Sequence, residues 1–284
     1  MPTDKNKTGH PSVRELLRAR PARGRIDLDA IDPSETSGAK RPQADERLLA
    51  DEEHVMSLQE RLYAERKRSV LIILQGMDTS GKDGTIRHAL RGLNPQGVRI
   101  VSFKTPTASE RRHDFLWRIK RALPKPGEIV IFNRSQYEDV LIARVRGLAS
   151  PQAIGARYGL INRFEAGILK SGTSLLKFYL HISEEEQRKR LLARLKEPDK
   201  HWKFSAADLT ERPYWDDYQK AYAAAIGRCS AGAAPWYVIP ANRKWYRNWA
   251  VTQILIEEME AMESTYPKPS LDVRALKQRL RPAA

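Results

Sequence analysis

The 284-residue sequence predicts an α/β fold, a parallel sheet covered by helices on both faces. Three observations predict it. Short apolar runs at 70–75, 97–104, 128–133, 174–182 and 236–240 alternate with longer stretches whose apolar residues recur at helical spacing. A glycine-bearing loop follows the first run and opens a helix. No internal repeat or low-complexity tract interrupts the alternation.

The elements follow in order. Residues 1–44 are polar and broken by Pro11, Pro21, Pro33 and Pro42, so they read as an extended, partly disordered arm with one short helix at SVRELLRAR. Residues 45–69 place Val55, Leu58 and Leu62 at helical spacing, giving an amphipathic helix. VLIILQ (70–75) is a buried strand, KDGTIRHALRGL (82–93) a helix and GVRIVSFK (97–104) a second strand. ERRHDFLWRIKRAL (110–123) reads as a helix ending before Pro124, EIVIFN (128–133) as a third strand, and SQYEDVLIARV (135–145) as a helix. A helix over 154–172 leads to the fourth strand, SLLKFYLHI. The charged helix after it has Ser183 as N-cap and Glu186 completing a capping box. A Trp-rich loop, a helix at 214–228, the strand WYVIP and a last helix at 244–260 complete the main domain. This domain spans 45–266, with a lid at about 183–215 and a tail at 267–284.

Lys and Arg number 50 against 35 Asp and Glu, a formal net charge of +15. Such a balance points to a polyanionic partner: nucleic acid, anionic lipid or a phosphate-rich ligand. The single cysteine, Cys229, has no intrachain disulfide partner, and the expectation is a cytoplasmic protein. No apolar run approaches the roughly 18–20 residues of a membrane span.

The loop LIILQGMDTSGKDGT is a phosphate-binding loop with two departures. Gly76 and Gly81 let the backbone turn, Lys82 supplies a point charge, and the helix that follows points its positive end at the same place. Asp83 stands where the motif has a metal-binding hydroxyl, and Asp78 sits inside the loop. A lone carboxylate repels phosphate, but one bridged by Mg²⁺ becomes a ligand or an orienter. Asp83 in the first helical turn is equally explained by the helix dipole, whereas Asp78 has no helix to cap. With this loop after the first strand, the architecture is P-loop kinase-like, a three-layer α/β/α sandwich with ligands at the carboxyl ends of the strands.

The third strand ends in Asn133, followed by Arg134 at its mouth, with Glu138 and Asp139 a turn further on. Arg134 is placed to clamp a phosphate, with a surface ion pair as the alternative. Either acid could hold the metal or lie on a solvated face. In the lid, Arg190 and Arg194 share one helical face. In kinases of this architecture such arginines close over the transferring phosphate; a solvated, charge-laced face is the alternative. The stretch after the second strand is where an acceptor would bind: Lys104 and Arg118 could grip its phosphate, and Asp114 could lie beside it or pair locally.

The segments GMDTSGKDGT, HDFLWR, FNRSQYEDV, EEEQRKR, KHWKFSAADL and PANRKWYRN together resemble the second family of polyphosphate kinases, from about residue 45 to 262. An aspartate after the loop lysine is that family's usual form. The resemblance implies a loop that cradles inorganic polyphosphate and its Mg²⁺. It implies a catalytic set of Asp78, Lys82, Asn133, Arg134, Arg190 and Arg194, with metal ligation by Asp78 and Asp139. Phosphate binding then falls to Gly76, Thr79, Gly81, Lys82, Asp83 and Gly84, with Arg87, Lys203, Arg243, Lys244 and Arg247 lining a basic track. Nucleotide binding falls to Lys104, Asp114, Arg118 and Glu138. The NRSQYED form resembles members that accept both AMP and ADP, and such members are usually cytoplasmic homo-oligomers, dimers or tetramers. The tryptophans of KHWKFS and RKWYRNW could stack on bases, but packing of the lid and last helix is the favoured reading, and no specific nucleic-acid partner is expected. Two other functions stay open: an ATP-dependent nucleoside monophosphate kinase, and a basic polyanion-binding protein without turnover.

Overall fold

The computed structural model describes residues 12–280. Five strands form one parallel sheet: β1 (Ser69–Gln75), β2 (Val98–Ser102), β3 (Ile129–Asn133), β4 (Thr173–His181) and β5 (Trp236–Pro240), in the order β2-β3-β1-β4-β5. In register, Leu74 stands beside Asn133 on one side and Phe178 on the other. Every residue of β1 is buried, so both its faces are covered and its carboxyl end opens between those of β3 and β4.

The helices are α1 (Val13–Leu17), α2 (Arg41–Glu65), α3 (Lys82–Ala89), α4 (Trp117–Lys120), α5 (Ile142–Val145), α6 (Pro151–Lys170), α7 (Glu184–Lys196), α8 (Ala206–Glu211), α9 (Trp215–Arg228), α10 (Lys244–Ala261) and α11 (Val273–Arg279). Helix α10 packs on α1, α2 and α3, while α6 packs on β4 and α9 on α5. Helix α2 buries the expected Val55, Leu58 and Leu62 but begins at Arg41, ahead of the expected start, with Pro42 in its first turn, where a missing N–H costs nothing.

Three expectations are corrected. The helix expected over 110–123 is a short turn, Glu110–Arg112, then extended His113, then the single turn of α4. The Asp114 carboxylate accepts the Leu116 N–H (2.9 Å), a local turn that competes with helix propagation. The helix expected over 135–145 is likewise split into a tight turn, Gln136–Asp139, and α5. Ser135 caps the turn, and the wholly buried Tyr137 anchors it to Glu165. From residue 12 the arm is not a loose tail. Leu17, Ala19 and Leu28 are buried in the core, Arg18 bridges Tyr237, and the Ala19 N–H donates to the Trp236 carbonyl (2.8 Å). The arm therefore shields the free edge of β5. Residues 1–11 and 281–284 lie outside the described residues.

Candidate active site

The phosphate loop is held in shape by its own lysine and by side chains of α7. Five consecutive carbonyls accept side-chain hydrogen bonds. The Lys82 ammonium donates to those of Gly76 (2.7 Å) and Met77 (3.2 Å), and the Gln187 amide to that of Asp78 (3.2 Å). Arg190 donates to Thr79 (2.9 Å) and Ser80 (3.1 Å). With the carbonyls tied back, the N–H groups of Thr79, Gly81, Lys82 and Asp83 find no acceptor among the described residues. The hydroxyls of Thr79 and Ser80 are buried and also unpartnered. Orphaned donors at the start of α3 make an anion site. Gly76 and Gly81 are required by geometry: their φ values are 152° and 105°, and a Cβ on Gly76 would stand 2.7 Å from the Leu180 carbonyl.

Charge converges on the loop. Lys82 is only 9% exposed, and burial, then the nearby Arg134 guanidinium, lower its ammonium pKa against the pull of Asp78, Glu138 and Asp83. Arg134 adopts a left-handed backbone (φ 67°), held by its N–H to the Leu74 carbonyl (3.1 Å). That conformation sends its guanidinium across the crevice to Asp78 Oδ1 (2.9 Å), with Glu138 at 3.5 Å. Glu138 first, then Asp78, hold Arg134 above its ordinary pKa. Asn133 donates to Asp83 Oδ1 (2.7 Å), tying the mouth of β3 to the first turn of α3. Thus Asp78, Lys82, Asp83, Asn133, Arg134 and Glu138 share one crevice at the carboxyl ends of β1 and β3.

Comparison with known proteins gives the family. The polyphosphate kinase 2 family profile matches residues 38–267. The chain belongs to the polyphosphate kinase 2 family. It is 51% identical to the AMP/ADP-polyphosphate phosphotransferase of Meiothermus ruber over 249 residues, 87% of this chain and 93% of the relative. It is 46% identical to the ADP-polyphosphate phosphotransferase of Rhodopseudomonas palustris, over 78% of this chain and 81% of that one. Among solved structures, polyphosphate kinase 2 from Arthrobacter aurescens TC1 superposes with a TM-score of 0.91 at 43% identity, covering 95% of this chain and 96% of that one.

The other expected residues of this polyphosphate kinase 2 chain are placed less centrally. Arg190 is used as a strut: besides the loop carbonyls it donates to Ala241 (2.6 Å), Asn242 (3.0 Å) and Glu186 (2.8 Å). Arg194 pairs with Asp208 (3.2 Å) and with the Lys203 carbonyl within the lid. Asp139 has Arg157, Arg118 and Glu138 as its charged neighbours, with burial first raising its pKa. Asp114 takes its local alternative, accepting the Leu116 N–H in the turn ahead of α4 and pairing with Lys120 at 3.6 Å. Arg118 is tied to the Lys104 carbonyl (2.7 Å) over the Phe103 ring, and Lys104 itself is exposed. Of the expected track, Arg87, Lys203, Arg243 and Lys244 are exposed, with Arg243 donating to the Ser34 carbonyl of the arm (3.1 Å). Arg247 is a correction: it is 2% exposed and lies behind the loop, not on a surface track. Trp202 is another, since it is 78% exposed and packs into no core.

Sequence reasoning missed two groups. Lys177, in the middle of apolar β4, forms a buried ion pair with Glu165 (2.6 Å), and Glu165 accepts from Tyr137 (2.7 Å) and Gln136 (3.1 Å). This network fixes the turn after Arg134. The signal was present: a lone lysine inside a buried strand needs a partner. Asp208, on α8, has Asp78 and Arg134 among its charged neighbours, and burial raises its pKa. Nothing in its sequence surroundings distinguishes it from other lid acids.

Proposed function

We propose that this chain transfers the terminal phosphoryl group of inorganic polyphosphate to AMP and to ADP, giving ADP and ATP. The observation that carries it is the loop with carbonyls tied back and amides free, facing Arg134 across the crevice. The names of the Meiothermus and Rhodopseudomonas relatives, at 51% and 46% identity, support the donor and the acceptors.

Catalysis here is positioning and charge stabilisation. The free amides of the loop and α3 hold the chain's phosphate oxygens. Lys82 and Arg134 neutralise the charge that spreads over the group in transfer. The acceptor's terminal phosphate is already ionised at neutral pH (second pKa about 6), so no strong general base is needed. Asp78 therefore acts as an orienter. Among the described residues no cluster of three or more His, Cys, Asp or Glu forms a metal cage. Mg²⁺ is usually bound through one or two carboxylates plus substrate phosphates. Asp78 and Glu138, which flank Arg134, would hold it, with Asp139 next in the chain. Bound there, it would screen phosphate charge and orient acceptor and donor.

From the resemblance to the family, whose members are usually cytoplasmic homo-oligomers, we place the enzyme in the cytoplasm as a homo-oligomer. No helix among the described residues is long and apolar enough to cross a membrane. Cys229 is buried, and burial pushes its thiol up to about 12, so it is not a reactive site.

The test is incubation of purified protein with polyphosphate, Mg²⁺ and AMP, ADP, GMP or GDP, with products separated by chromatography. AMP should give ADP first and ATP later. ATP serving as donor to AMP as well as polyphosphate does would favour a nucleoside monophosphate kinase instead.

A further inference from the structure

We propose that Arg247 is a positioning residue of the phosphate loop: a buried guanidinium that backs the loop and whose counter-charge is the bound phosphate chain. This rests on the phosphate-transfer reading above.

The side chain comes from α10 and fits against the two glycines that flank Lys82 and Asp83. A Cβ on Gly81 would stand 1.8 Å from Arg247 Nη1, and one on Gly84 3.0 Å from Nη2. The loop's glycines thus serve two purposes, a left-handed turn at Gly81 and room for this guanidinium. Nη1 lies 3.5 Å from the Ser80 carbonyl, and Nε and Nη2 donate to Asn248 Oδ1 at 3.1 and 2.7 Å.

No carboxylate pairs with Arg247 among the described residues. Its charged neighbours are cations: Arg190, whose own charge is met by Glu186, then Lys244 and, when protonated, His88. Burial, then Arg190, push Arg247 down to about 10, still protonated at neutral pH. A buried, unpaired cation is costly in a resting protein. It is expected to persist where a ligand supplies the missing charge, and the amides of α3 directly in front of it open onto an anion site. Here Arg247 adds a full charge to the partial charge of the α3 dipole. A neutral residue could fill the same space but could not do this.

The experiment measures thermal stability with and without inorganic tripolyphosphate, and KM for polyphosphate and AMP separately. Arg247→Met should be as stable as wild type or more so without ligand. It should lose most of the tripolyphosphate-induced rise in Tm and show KM for polyphosphate raised about tenfold or more, with KM for AMP unchanged. A variant that loses stability but keeps the tripolyphosphate shift and the polyphosphate KM makes Arg247 a packing strut, and the inference fails. Should Arg247→Met not fold, Arg247→Lys and Arg247→Gln decide, since both lose the fork and only one keeps the charge. Retention of the shift by the lysine variant alone supports the inference, and equal shifts overturn it. A wild-type protein with no shift overturns both this inference and the functional reading, whereas a wild-type shift with unmoved variants overturns only the inference.

Discussion

The phosphate cradle follows β1 and the segment from Lys104 follows β2, with β3 between the two strands, and they are built differently. In the cradle, each carbonyl from Gly76 to Ser80 is held by a side chain: the loop's own Lys82, then Gln187 and Arg190 from α7, with Arg247 behind. Lys82 and Arg247 are buried, and Arg190 nearly so. In the segment from Lys104 to Lys120 most bonds are local. Thr107 pairs with Glu110, Asp114 with Leu116 and Lys120, and Arg118 with the Lys104 carbonyl. On the function proposed above, the cradle would be preorganised for one repeating chemical unit, the phosphate. The segment after β2 would serve the acceptor, and its mostly short-range bonds would let it adjust to what arrives. Fixed charge matters most where charge develops in transfer, so the rigid half should carry turnover and the looser half affinity.

The largest effects should therefore come from the cradle. Lys82→Ala and Asp78→Asn should each lower kcat on the order of 100-fold or more while leaving a folded protein. Steady-state rates beside circular dichroism check this. A folded Asp78→Asn enzyme with near-normal turnover would remove Asp78 from its role as orienter and weaken the contrast between the two halves.

A smaller loss, roughly 10- to 100-fold in kcat, is expected for Arg190→Ala. The sequence alone suggests that Arg190 meets the transferring phosphate, so that kcat falls and polyphosphate binding is spared. The structure turns its donors to four backbone carbonyls. Removing it should free the loop, so KM for polyphosphate should rise and Tm should fall along with kcat. If kcat alone falls and Tm is unmoved, Arg190 swings onto the phosphate when the lid closes, and the cradle is less preformed than its contacts imply.

The strands and the loop were legible because their signals are local. The five apolar runs and the Gly76 to Lys82 spacing specify the sheet and its phosphate loop without long-range information. What sequence could not give was the aim of side chains set by tertiary contact. Arg190 and Arg247 look like surface arginines on charged helices, yet both turn inward because the loop carbonyls and the space beside Gly81 accept them. The split helices at 110–123 and 135–145 escaped for the same reason. Their helical spacing is real, but Asp114 and Ser135 take backbone amides locally and Tyr137 is pulled to Glu165. The arm hid its buried Leu17, Ala19 and Leu28 among prolines and charges.

The smallest effect should fall on the acceptor side. Arg118→Ala removes a bond to the Lys104 carbonyl and a cation stacked over Phe103, and it leaves the cradle untouched. A single such bond contributes about 1 kcal/mol, so KM for the nucleotide should rise roughly fivefold. KM for polyphosphate should be unchanged and kcat nearly so. The same short-range bonding would suit the dual acceptor range proposed above. AMP and ADP differ by one phosphate, and a segment held by short-range bonds can shift by that length, whereas a buried clamp would fix one. The ratio of KM values for AMP and ADP is the sharper readout. Loosening the segment should raise both together and leave their ratio near that of the wild type. If Arg118→Ala instead abolishes use of one acceptor while sparing the other, Arg118 measures the length of the nucleotide, and the acceptor side is as exact a gauge as the cradle.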